Sequence, residues 1–210
     1  DAIHYIRIAE QFSEGQFTEF YSRIPLLYPA LCALCHLVVP DIEVACRIVS
    51  LIASSLLVWP LYRLASACVG RSAARYAALM VAIWPWLADY GSNIAPEALA
   101  SVLWFGAVWA LARSLREGGV WLGVAPLVFF ALHLTRPEGT FLLLAAPVGG
   151  LILCLQGGQG KAKRLIPFIV ICAVLLAGYV VFMRYTTGEA VINPRLVGGS
   201  RGFRYAFVLR

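Results

Sequence analysis

VACRIVSLIASSLLVWPLYRL (residues 44–64) is long and apolar enough to decide what kind of protein this is. About 20 residues at a rise of 1.5 Å cross a hydrocarbon core of about 30 Å. A backbone in lipid must satisfy its polar groups internally, so such a run is a helix. Comparable runs recur at 75–89, 97–113, 119–135, 139–156 and 165–183. The whole chain agrees with them: 61% of its 210 residues are hydrophobic and 13% are charged, against about 25% charged in soluble domains, and the mean hydropathy is +0.80. The expected fold is all-α: a polytopic transmembrane helix bundle with amphipathic juxtamembrane helices. Residues 1–43 read as an outer juxtamembrane loop with amphipathic and re-entrant helices. Residues 44–183 read as the bundle of about six spans, and 184–210 as an outer loop or the start of a further region.

The connections between these runs sort by charge. Residues 65–74, 114–118 and 157–164, with their flanks, hold Arg63, Arg71, Arg75, Arg113, Arg116, Lys161, Lys163 and Arg164 against one acid, Glu117. Residues 90–96 and 136–138, with theirs, hold Arg136 beside Asp89, Glu97 and Glu138. Basic residues favour the cytoplasmic side, so the first set faces in and the second faces out. The net charge of +6 is spread over the ends of apolar runs. It reads as a topology signal and as a partner for anionic headgroups, not as a nucleic-acid surface.

The segment DAIHYIRIAEQF (residues 1–12) is of another kind. At 100° per residue, Ala2, Tyr5, Ile6, Ile8, Ala9 and Phe12 share one side of a helix, and His4, Arg7, Glu10, Gln11 and Glu14 the other; Ile3 is the exception. Such a helix lies along a membrane surface. The apolar run 25–39 is short for a span and bounded by Pro25, Pro29 and Pro40, which favours a re-entrant or interfacial helix. No initiator Met and no signal sequence precede Asp1, and the final residues, NPRLVGGSRGFRYAFVLR, carry no closing signal, so a fragment is expected.

Cys32, Cys35 and His36 spell the C-x-x-C-H pattern of haem attachment. They lie inside an apolar stretch, where cysteine behaves as a small hydrophobe, and no haem is expected. The other cysteines form neither a disulfide framework nor a zinc pattern, so no metal is expected there.

Ten of the eleven acids fall on the outer side of this arrangement, and only Glu117 inside. Acids contribute little to orientation, so the asymmetry has another cause. Asp1, Asp89, Glu97 and Glu138 each stand where a loop meets a membrane helix, a place where ionisable groups carry function. Arg23 and Arg136 lie on the same side near headgroup level, where a guanidinium fork can hold a phosphate.

Four stretches carry a family resemblance: DAIHYIRIAEQFSEG followed by RIPLLYPAL, then RIVSLIASSLLVWPLYRLASACVGRSAARYAAL, APEAL and HLTRPEG. In order and spacing the chain resembles the GT-C class of polytopic glycosyltransferases, in the branch of protein O-mannosyltransferases and lipid A aminoarabinose transferases. The resemblance implies a polyprenyl-phosphate-linked sugar donor, an acceptor hydroxyl on a protein, lipid or glycan, and inversion at the anomeric carbon. It implies that Asp1 is the catalytic base, although Ala2 stands where many members carry a second acid. Arg23 and Arg136 would bind the donor phosphate. His4, Tyr28, Asp89, Glu97 and Glu138 would bind or support the substrates. No D-x-D is present, so no metal cofactor is implied. The membrane would be a bacterial inner or archaeal plasma membrane, with the site facing outward and membrane lipids as partners. The alternative is a transporter or flippase, which would place ionisable or helix-breaking residues in paired segments near mid-membrane. A scaffold without activity is a third.

Single cysteines at positions 92 and 190, in a background without other cysteines, are expected to react with an impermeant thiol reagent from outside, and one at position 160 from inside. The reverse pattern overturns the orientation.

Overall fold

The computed structural model of the chain describes residues 2–15, 25–136, 138–157 and 159–187. The described residues form ten helices and no strand, an all-α membrane bundle. In order they are α1 (Ala2–Ser13), α2 (Leu27–His36), α3 (Ile42–Leu56), α4 (Val58–Val69), α5 (Arg71–Ala82), α6 (Pro85–Ser92), α7 (Glu97–Glu117), α8 (Trp121–Thr135), α9 (Gly139–Gly157) and α10 (Gln159–Thr187). Asp1, Arg23 and residues 188–210 lie outside the described residues.

Local chemistry sets the boundaries. Asp41 caps α3, its Oδ1 accepting from the Glu43 and Val44 amides at 2.8 and 3.1 Å, so the helix begins two residues before the run 44–64. Proline 60 cannot donate to the carbonyl four residues back, and the α3–α4 run breaks one turn before it, at Leu57. The two helices still form a 28-residue apolar segment, Ile42–Val69, long enough to cross a bilayer. Glu97–Glu117 and Leu165–Tyr185 also reach that length, while α2 and α8 are shorter apolar helices.

The single helix expected over 75–89 is two helices. Trp84 is extended (φ −71°, ψ 118°) because the ring of Pro85 disfavours the helical conformation in the residue before it, and Pro85 then starts α6. Between α4 and α5 the only non-helical residue is Gly70, at φ 92°, a conformation that a residue with a Cβ rarely adopts.

The packing is that of a lipid-soluble bundle. Ala107 and Ala110 of α7 and Ala125 of α8 are fully buried, letting these two backbones approach closely. Phe129 and Phe168 meet edge to face at 5.7 Å beside them, joining α8 to α10. Large apolar side chains point outward instead: Leu51, Ile52, Val174 and Val181 are all exposed. In water that surface would cost about 25 cal/mol for each Å²; against acyl chains it costs nothing.

A second core gathers the amino-terminal helices. Ala9 of α1, Tyr28 and Cys32 of α2, and Cys46 of α3 are fully buried together. The side of α1 expected to rest on a membrane surface therefore packs at least in part on α2 and α3, and Ile3, the exception in the periodicity, is exposed. Tyr28 Oη donates to the Cys46 carbonyl at 3.2 Å and shares a 2.8 Å hydrogen bond with Ser50 Oγ. Burial pushes the Tyr28 hydroxyl's pKa upward, so it remains a neutral donor. His36 Nδ1 bonds the Val39 carbonyl at 2.9 Å just beyond the end of α2.

Tyr28→Phe removes two hydrogen bonds while Ser50 keeps a second acceptor, the Ala95 carbonyl. The expected loss is about 1 kcal/mol, seen as a lower melting temperature of the detergent-solubilised protein. An unchanged melting temperature would mean that this hydroxyl does not tie α2 to α3.

Candidate active site

The corner between α8 and α9 is built by HLTRPEGT, residues 133–140. The α8 helix stops at Thr135 because Arg136 precedes a proline and is extended (φ −144°, ψ 136°). The Arg136 amide still donates to the Leu132 carbonyl at 2.9 Å, and the Gly139 amide returns to the Arg136 carbonyl at 2.9 Å. At Gly139 the chain passes so close to α8 that a Cβ would stand 2.7 Å from the His133 nitrogen and 2.8 Å from its Cα. His133 and Thr140, both 4% exposed, lock the two helices through a 2.9 Å hydrogen bond between Nδ1 and Oγ1. The His133 ring also meets Tyr179 of α10 edge to face at 4.9 Å.

This corner aims Arg136 at the start of α7. Its Nη2 lies 3.4 Å from Glu97 Oε1, and its Nε lies 3.5 Å from Glu138 Oε2. Glu97 is the first residue of α7, where the helix dipole favours an anion. The three side chains border a cavity of about 410 Å³ whose wall includes Tyr90, Ser101, Trp104 and Phe105. Ser101, Trp104 and Phe105 follow Glu97 at four, seven and eight residues, so one face of α7 runs from a carboxylate to an aromatic slot. All three charged groups are partly exposed, so each ion pair is worth at most about 1 kcal/mol. They orient one another more than they stabilise the fold.

Of the residues singled out in the sequence, the structure thus brings Glu97, Arg136 and Glu138 together. Asp89 is exposed, and its Oδ1 accepts from Asn93 Nδ2 at 2.9 Å; its neighbour Tyr90 is the one that lines the cavity. His4 is exposed on α1, and Tyr28 is buried in the amino-terminal core. Asp1 and Arg23 fall outside the described residues. Tyr90, Ser101, Trp104 and Phe105 were not anticipated, though the helical spacing from Glu97 was the signal for the last three. Among the described residues no three His, Cys, Asp or Glu side chains gather as metal ligands do.

A family model of the dolichyl-phosphate-mannose-protein mannosyltransferases matches residues 23–183, which include every residue of this cavity. No curated protein matches the chain.

Gly139→Ala is expected to open the corner, since backbone atoms at 2.7–2.8 Å leave a methyl group no room. The cost should be about 1–3 kcal/mol, read as a fall in melting temperature. Gly123→Ala in the first turn of α8, where a Cβ meets nothing within 4 Å, should leave the melting temperature unchanged or raise it. Equal effects of the two changes would deny the close approach.

Proposed function

The chain belongs to the dolichyl-phosphate-mannose-protein mannosyltransferase family, and on that premise we propose that it moves a sugar from a polyprenyl-phosphate donor to an acceptor hydroxyl at the cavity beside Arg136. The observation that carries this reading is the meeting of a guanidinium, two carboxylates and an aromatic slot at one end of the bundle.

The chemistry follows from those groups. The bond from the anomeric carbon to the phosphate oxygen breaks, and its electron pair leaves with the phosphate. The acceptor oxygen bonds to the opposite face of that carbon, with inversion, as its proton passes to a carboxylate. A hydroxyl is a weak nucleophile at neutral pH, so a positioned base is needed. Asp1 is the proposed base, as the family resemblance implies. Arg136, with Arg23, stabilises the charge that grows on the leaving phosphate.

Without donor, the two carboxylates leave the cluster with a net charge of minus one, which opposes an incoming phosphate. Contacts of 3.4 and 3.5 Å are long for charge-assisted hydrogen bonds, which run about 2.7–2.9 Å. The phosphate therefore displaces a carboxylate from Arg136 at small cost, and the released carboxylate turns to the sugar hydroxyls. Trp104 and Phe105, about two turns beyond Glu97 along α7, offer the isoprenoid a path into the bilayer. The segregation of basic residues supports an outward-facing site, and the family resemblance implies a bacterial inner or archaeal plasma membrane. A transporter or flippase would need its ionisable groups in the middle of the bilayer, whereas this cluster stands at the ends of α7 and α8.

Two substitutions in the full-length protein, assayed with a polyprenyl-phosphate sugar, test the reading. Asp1→Asn should lower kcat by at least about 100-fold while membrane insertion persists; retained turnover rejects Asp1 as base. Arg136→Lys keeps the charge and loses the fork, and should raise KM for the donor about tenfold. An unchanged KM removes Arg136 from the donor site.

A further inference from the structure

The opposite end of the bundle holds a cluster that the transfer reaction does not use. Trp59 of α4, Trp109 of α7 and Trp121 of α8 stand in series, with ring centroids 4.9 and 5.0 Å apart and both pairs edge to face. Two guanidinium groups lie between them. The Arg63 Cζ is 5.9 Å from the Trp59 ring and 5.5 Å from Trp109, and the Arg113 Cζ is 5.6 Å from Trp109 and 4.8 Å from Trp121. Trp109 is buried and shared by both cations, while Trp59 is exposed.

The charges in this cluster do not balance. Arg113 pairs with Glu117 one turn further along α7. Arg63 is exposed and has no hydrogen bond or ion pair to any described residue; among these its partners are the two tryptophan rings. A cation–π contact occupies the face of a guanidinium and leaves the in-plane N–H donors available. Holding a long arginine between two rings also costs rotamer entropy, which a freely solvated side chain would keep. The arrangement presents a fork of donors with its direction set and no acceptor among the described residues.

Position identifies the acceptor. Arg113 lies sixteen residues along α7 from Glu97, about 24 Å at the helical rise, so the cluster sits near the membrane–water boundary opposite the cavity. Tryptophan and arginine at that depth meet lipid headgroups, and the surrounding connections are the basic ones. We propose that Arg63, held by Trp59 and Trp109 and reinforced by the charge of Arg113, binds the phosphate of an anionic phospholipid on the face opposite the transfer site. The bound lipid would bridge α4 and α7 at that face. The proposal does not depend on Asp1, Arg23 or Arg136, and its readout is lipid retention instead of sugar transfer.

The test uses full-length protein purified from a defined mixture of phosphatidylglycerol and phosphatidylcholine, with retained lipid measured by native mass spectrometry. Wild type should retain phosphatidylglycerol in preference to phosphatidylcholine. Arg63→Gln should reduce that retention about tenfold, and Arg63→Lys by less. Arg63 is exposed, so neither change disturbs the core. Trp59→Leu should weaken retention with the arginine still present, because the guanidinium loses one of its two rings. Millimolar inorganic phosphate should not displace the lipid. Equal retention of the two lipids by wild type, full retention by Arg63→Gln, or displacement by phosphate alone would each overturn the proposal. Sugar transfer from a detergent-solubilised donor should be unchanged in Arg63→Gln, which separates this result from any failure at Arg136.

Discussion

A peptide group in hydrocarbon has no water to bond, and every feature of this bundle answers to that constraint. It makes each apolar run a helix and confines irregular backbone to places where protein or the interface can satisfy it. Prolines mark where the constraint is relaxed. Pro60 interrupts the longest apolar segment near Leu57, Pro85 splits what periodicity alone reads as one helix, and Pro137 ends α8. The Pro137 break is the one that serves the cavity, since it frees Arg136 from the helix and lets its side chain reach Glu97.

The bundle is also polarised from end to end. At one end Glu97, Arg136 and Glu138 surround a cavity; at the other, Arg63 and Arg113 lie among tryptophans. The α7 helix spans the distance between them and takes part in both. Its middle is alanine-rich on the side facing α8, so the two helices are held at a fixed close separation, and the relation between the ends is set by rigid elements and not by loops. Within the cavity corner, the His133–Thr140 hydrogen bond and the close pass of Gly139 do for α8 and α9 what those alanines do for α7 and α8.

Some of this was legible residue by residue. Charge sorting placed Glu97, Arg136 and Glu138 on one face before any contact was known, and the ion pairs join those same residues. Tyr28 reads as a site residue and lies in a core, because an aromatic hydroxyl next to a proline looks alike in either setting; the placement of α3 opposite it gives its hydroxyl two buried partners, Ser50 Oγ and the Cys46 carbonyl. Asp89 and Tyr90 are adjacent in the chain, and the rotation of a short helix decided which of them turned to the cavity. Ser101, Trp104 and Phe105 could have been found by following the helical period from Glu97, but nothing in their types set them apart from other apolar-helix residues.

By itself the sequence determined the solvent, the helical character of the apolar runs and the sorting of charge along the chain, because hydropathy, length and the cost of an unpaired peptide group act locally along the chain. The tertiary structure alone decided which side chains converge. Whether Arg136 meets Glu97, or Arg63 shares a ring with Arg113, depends on helix rotation and separation. Those are set by contacts between residues distant in the chain: alanine against alanine in α7 and α8, His133 against Thr140 and Tyr179, and Trp109 between two cations.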